Sequence, residues 1–182
     1  MRLAVIGLGR MGLSLGELAI DRGHEVVGWD PSADARSTAA DLDIEVAGDL
    51  GDVAGALPTP RVVLMWVPHG NPVDANLVTL REGLEHGDVV ADCGNSHWED
   101  SRRRHDELVD DGIRFLDIGT SGGISVALGW QGAFMAGGPR DAFNLVQPLL
   151  RDLAVADGAV FYAGPSPSGH FVKLGTTRSS SG

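Results

Sequence analysis

Three groups of residues in this 182-residue chain have the types and spacing that chemistry needs. Gly7-Leu8-Gly9-Arg10-Met11-Gly12 fits G-x-G-x-x-G and directly follows the apolar run Arg2 to Ile6. Between a strand and a helix, such glycines permit a tight turn, let backbone approach a pyrophosphate and bring helix against sheet. The helix N-terminal amides then face the anion. Asp30 closes the next apolar run about 20 residues later, where a carboxylate accepts from ribose hydroxyls and repels a 2′-phosphate. Capping of the helix after Pro31 is the plainer role for Asp30, and the two are compatible. The expected cofactor is NAD, with NADP disfavoured, although Arg36 lies where it could meet a phosphate.

The second group is Lys173, the one lysine beside thirteen arginines. Oxidising a secondary alcohol by hydride transfer needs a base for the hydroxyl proton and then a donor to polarise the ketone. A partly desolvated lysine does both, and an arginine cannot. A surface lysine without a role is the plain alternative. In the third group, Asn95 follows a strand end with an amide that donates and accepts, unless it only makes an Asx-turn. Ser121-Gly122-Gly123 offers a hydroxyl and backbone N–H groups to a carboxylate or hydroxyl, or else a flexible bend. His170 would share a helix face with Lys173, unless it only packs. Arg102, Arg103 and Arg104, among Glu99, Asp100, Asp106 and Glu107, read mainly as a solvated, salt-bridged face. Trp29, Trp66, Trp98 and Trp130 read as packing residues, and no metal site is expected.

The elements that must position these groups alternate. Strands are predicted at Arg2–Ile6, Glu25–Trp29, Ile44–Ala47, Val62–Val67, Asp88–Asp92 and Ile113–Ile118. Helices follow Gly9, run from a Ser32 cap to Ala40, and cover Asp49–Ala56, Val73–Leu84 and Trp98–Asp110. This is an α/β pattern, a doubly wound, mostly parallel sheet covered on both faces. Beyond Gly119 a Gly-rich loop is predicted before a strand at Ala133–Ala136, a helix at Asp141–Leu153 and a strand at Val160–Ala163, extending the same sheet. Residues 1–175 form the expected domain, and the small, polar or basic residues 176–182 read as an unstructured tail.

Composition narrows the partners. With 43% hydrophobic residues the chain can bury a core. A net charge of −11 repels phosphate backbones, so nucleic acid is not an expected partner. Eighteen Asp against seven Glu, with Arg as nearly every cation, suits a salt-rich cytoplasm. The lone Cys93 and the absence of a basic leader suit a reducing, cytoplasmic location, and no apolar stretch is long enough for a membrane partner.

Five segments together resemble a known family: Gly7–Gly12, Trp66-Val67-Pro68-His69-Gly70, Asp92-Cys93-Gly94-Asn95-Ser96, Gly119–Gly123 and Gly169-His170-Phe171-Val172-Lys173. In order and spacing they are similar to decarboxylating 6-phosphogluconate dehydrogenase, over residues 1 to about 175. Asp30 matches the NAD-preferring branch, and Gly94-Asn95-Ser96 stands where the wider 3-hydroxyacid dehydrogenases carry a Ser-rich segment. The resemblance implies a Rossmann-like domain extended by a small C-terminal αβ portion. It implies oxidative decarboxylation of 6-phosphogluconate to ribulose 5-phosphate, in the pentose phosphate pathway.

By the same resemblance Gly7, Gly9, Arg10, Met11, Gly12, Asp30, Val67, Pro68 and Asn95 hold the cofactor. Asn95, Ser121, Gly122 and Gly123 hold the sugar acid, Lys173 takes the proton of its C3 hydroxyl, and Asn95 acts beside it. The chain departs from the family after Lys173. Thr177 and Ser180 stand at the Asn and catalytic Glu positions, Pro167 replaces a glycine, and the all-helical second domain is not recognised. The expectation is therefore a truncated NAD-binding domain that depends on a homo-oligomer or a separately supplied helical domain. The alternatives are a non-catalytic NAD-binding module and a dehydrogenase of another small 3-hydroxy acid.

Overall fold

A computed structural model describes residues 1–125, 129–155 and 159–179, with the side chains of 123–131 and 176–179 outside the description. The first half builds parallel strands β1 (Arg2–Ile6), β2 (Glu25–Trp29), β3 (Glu45–Val46), β4 (Val62–Met65) and β5 (Val89–Asp92). Helices α1 (Arg10–Asp21), α2 (Ala33–Ala40), α3 (Asn71–Arg81) and α4 (Trp98–Val109) alternate with them. The second half adds β6 (Arg114–Ser125), β7 (Gly129–Gly137), α5 (Arg140–Leu153), β8 (Val160–Gly164) and α6 (Ser168–Ser179). One sheet runs in the order β3-β2-β1-β4-β5-β6-β7-β8. Strand order reverses between β1 and β4, and such a switch point opens a crevice at the C-terminal strand ends.

Apolar runs become strands here because both faces are covered. Leu3 and Val5 of β1 join the core with α1 and α5 through Leu15, Ala19, Phe143 and Val146. Ala4 and Ile6, one residue out of phase, join the opposite core with α3 and α4 through Leu77, Leu80 and Leu108. Period-two side-chain alternation thus builds two cores from one continuous run. The Ser32 hydroxyl caps α2 by accepting from the Ala35 amide at 3.3 Å.

Three expectations are corrected. The predicted Gly-rich loop after Gly119 is strand: β6 runs to Ser125 and pairs antiparallel with β7, from Asp117 opposite Gly137 to Ser125 opposite Gly129. Backbone ladder bonds make this hairpin, so its glycines hide it from an apolar-periodicity reading. Asp49–Ala56 forms two 3-10 turns, Leu50–Asp52 and Ala54–Ala56, instead of one helix. The boundary at 175 falls inside α6, which carries helical backbone to Ser179 and so takes up the first part of the expected tail. Residues 180–182 lie outside the described residues.

Candidate active site and dinucleotide cleft

The glycine segment turns as its spacing demands. Gly7 has φ +90°, its amide donates to Trp29 O at 2.9 Å, and a Cβ there would lie 2.4 Å from Trp66 O. Gly12 packs α1 on the same turn, where a Cβ would come within 1.8 Å of Gly7 O. Gly9, the α1 N-cap, has no side-chain cap bond, and a Cβ there would meet nothing within 4 Å. The first amides of α1 are thus unsatisfied by side chains and open to the cleft, which is the anion cradle a pyrophosphate requires.

Asp30 stands at the β2 end with both carboxylate oxygens anchored. One accepts from the Leu8 amide at 2.8 Å and the other from the Ser32 amide at 2.8 Å. The carboxylate therefore ties the glycine turn to the start of α2, and its remaining lone pairs are available on the cleft side. Arg36 donates to the Asp30 carbonyl at 2.5 Å, so this guanidinium is engaged at the backbone.

At the other end of the cleft, α6 brings Lys173 to the loop after β5, where its ammonium donates to the Asn95 side-chain oxygen. Burial pulls the Lys173 amine below its ordinary value, against the raising influence of Cys93 and Asp92. A lysine so placed holds a larger neutral fraction near neutral pH and accepts a proton more readily. Thr120 fixes the same loop, donating from its hydroxyl to Cys93 O at 3.2 Å.

One cleft of about 740 Å³ brings together Gly7, Gly9, Arg10, Met11, Asp30, Val67, Pro68, Asn95, Gly122 and Lys173. Gly12 lies beneath it, buried against Gly7. Ser121 and Gly123 flank Gly122 on β6, opposite Ala133 and Gln131, and Ser121 is not among the residues that line the cleft. Trp66 is partly buried against one core and also forms cleft wall, so its packing role extends to the site.

One reading of a polar residue changes. Arg104 does not belong to a solvated face: it is 0% exposed and pairs with Asp74 at 2.7 Å and Asp92 at 3.3 Å. Arg103 does remain a surface cation, paired with Asp74 and Glu107. His170 shares α6 with Lys173 but is buried, with Nδ1 2.6 Å from the Ser101 hydroxyl. Burial holds His170 below the ordinary histidine value, and the Lys173 and Arg104 charges push the same way against Asp92.

α6 itself is seated by Asp117, a fully buried carboxylate of β6 that accepts from the His170 amide at 2.9 Å. Burial raises Asp117 to about 6, against the lowering effect of the His170 amide and the Ser166 hydroxyl. Between the unfolded carboxyl value near 3.8 and about 6, the folded chain keeps a proton that the unfolded chain has released. This contribution to stability is complete below the lower value and is lost as pH rises through the upper one. Asp117→Asn should abolish that slope. From pH 4 to 7 the variant should gain about 2 kcal/mol relative to the parent in urea denaturation.

Fold and cleft together define an α/β dinucleotide-binding domain of the Rossmann type. Residues 2–164 match the family model described as the NAD binding domain of 6-phosphogluconate dehydrogenase. The chain belongs to that family and is an NAD(P)-binding domain. It is 42% identical over 175 residues to the YqeC protein of Bacillus subtilis, covering 96% of this chain and 58% of that one. It is 41% identical over 175 residues to the NAD(+)-dependent, decarboxylating 6-phosphogluconate dehydrogenase of Haloferax volcanii, covering 96% of this chain and 57% of that one. The solved 6-phosphogluconate dehydrogenase of Plasmodium falciparum superposes with a TM-score of 0.85 at 26% identity, over 96% of this chain and 39% of that one. The chain thus spans little more than half the length of these curated relatives. Among the described residues, no helix is long and apolar enough to cross a membrane.

Proposed function

We propose that the chain is the cofactor-binding part of an NAD-preferring dehydrogenase that decarboxylates 6-phosphogluconate to ribulose 5-phosphate. The observation that carries this reading is the Lys173–Asn95 contact at one end of a cleft whose other end holds Asp30 and the glycine turn. A bound nicotinamide dinucleotide would supply the hydride acceptor. Gly9 and the open amides of α1 would receive its pyrophosphate, and Asp30 its adenosine ribose.

Lys173 in its neutral form takes the proton of the substrate's secondary hydroxyl, and the ammonium so formed then donates to the ketone oxygen as carbon dioxide leaves. Asn95 orients both the lysine and the substrate through its amide. The relatives named for NAD and for 6-phosphogluconate support the same assignment. Asp30 supports NAD over NADP, because its carboxylate stands where a 2′-phosphate would bring like charge.

Calorimetric titration of the chain with each dinucleotide tests the cofactor. NAD+ should bind about tenfold or more tighter than NADP+. Equal or tighter uptake of NADP+ would overturn the preference, and uptake of neither would overturn the reading of the cleft.

A further inference from the structure

Arg104 sits among the largest fully buried side chains of the protein, and nothing in the proposed chemistry uses it. Its Nε donates to Asp74 Oδ1 at 2.7 Å. One terminal nitrogen donates to Asp92 Oδ2 at 3.3 Å and to Ser96 Oγ at 3.1 Å, and the other donates to Gly70 O at 3.1 Å. Asp92 in turn accepts from Ser96 Oγ at 2.5 Å and from the Gly94 amide at 3.0 Å. A single guanidinium therefore joins the end of β5, both neighbours of Asn95 and the turn between β4 and α3.

The two loops tied in this way follow neighbouring strands and both line the cleft, Gly94 and Asn95 in one and Val67 and Pro68 in the other. They touch, since a Cβ on Gly94 would lie 2.8 Å from Val67 O. A buried ion pair adds little stability over a well-packed apolar side chain, so stability alone does not explain a charge here. What a planar fork does supply is direction, since it fixes several acceptors at set angles at once. Asn95 itself makes the contact to Lys173 while its flanking residues are held from behind.

We propose that Arg104 is a positioning residue: its guanidinium sets the loop that carries Asn95, and the adjoining turn after β4, so that Asn95 meets Lys173 at the cleft. The functional half of this proposal rests on the reading of the cleft as a dinucleotide site.

Arg104→Lys keeps the charge but offers one nitrogen where the fork spans four acceptors. In this variant, amide hydrogen exchange should quicken about tenfold or more at Cys93–Ser96 and Val67–Gly70, with the amides of β1 unchanged. No change at these loops, or an equal rise through β1 as global destabilisation would give, overturns the proposal. Should Arg104→Lys fail to fold, Ser96→Ala decides by the same pattern, because it removes one tie and leaves the charge pair. NAD+ should bind the Arg104→Lys chain about tenfold more weakly, whereas ADP-ribose, which lacks the nicotinamide, should lose less. Equal losses for both ligands, or none, overturn the functional half. Failure of the parent chain to bind either ligand overturns the cofactor reading instead and leaves the exchange data to judge Arg104.

Discussion

Lys173→Met is expected to lower turnover of 6-phosphogluconate by about 10²–10⁴-fold, the usual worth of a positioned general base. The assay needs the C-terminal part that the chain does not span, supplied by fusion to the corresponding part of the Haloferax volcanii relative. Lys173→Arg should fall as far, because a guanidinium can take over the Asn95 contact but cannot give up its proton at working pH. Dinucleotide affinity should stay essentially unchanged in both variants, since the glycine turn and Asp30 lie at the other end of the cleft. The direction of the Lys173 shift also fixes the pH dependence. The neutral amine is the competent form, so kcat/KM should rise with pH and level off below the ordinary lysine value near 10.5. The chain alone allows a direct check, because its single lysine and its N-terminus are the only amines to label. Reductive methylation with 13C-formaldehyde should give a Lys173 resonance that titrates below 10.5. An unshifted midpoint, or an active Lys173→Arg enzyme, would remove lysine from the base role.

The parts of this fold that could be read from sequence are those where burial dictates residue type. β1, β2, β4 and β5 are short apolar runs because each is covered on both faces, and their order with the helices leaves little besides a parallel sheet. The β6–β7 hairpin was illegible for the opposite reason. Gly119, Gly122 and Gly123 carry no side chain to show a period, and the pairing is written in backbone hydrogen bonds. In the site, Gly7–Gly12 and Asp30 were legible because turn, helix and carboxylate lie close in sequence.

The partnership of Lys173 with Asn95, 78 residues apart, has no local signature, because only the fold brings α6 to the loop after β5. The burial of Arg104 is hidden in the sequence because three adjacent arginines look alike in a charged helix. A signal was present nonetheless. Ser101, Arg104 and Leu108 fall at helical spacing on one stripe of α4, and all three are buried. A cation on the stripe that holds Leu108 must meet its counter-charges inside, and Asp92 at a strand end was the available partner.

The glycine turn gives the other large expected effect, and two substitutions separate its two physical roles. At Gly12 a methyl group would lie 1.8 Å from Gly7 O, a distance no rotamer change relieves, so α1 must move off the turn or the turn must open. Gly12→Ala should therefore cost stability, on the order of 1–3 kcal/mol as overpacking does, and lower dinucleotide affinity about 100-fold or more. At Gly9 the same methyl group meets no protein atom within 4 Å and the backbone conformation is an ordinary extended one. Gly9→Ala should leave the thermal midpoint in place, yet it puts a carbon in the space through which a pyrophosphate reaches the α1 amides. Affinity for NAD+ should then fall about tenfold or more in a fully folded chain. Calorimetry beside thermal denaturation reads both quantities on the same samples. If Gly9→Ala bound NAD+ as well as the parent, the open space at the α1 N-cap would not be the anion seat. The role of the first helix would then reduce to packing, which Gly12 alone accounts for.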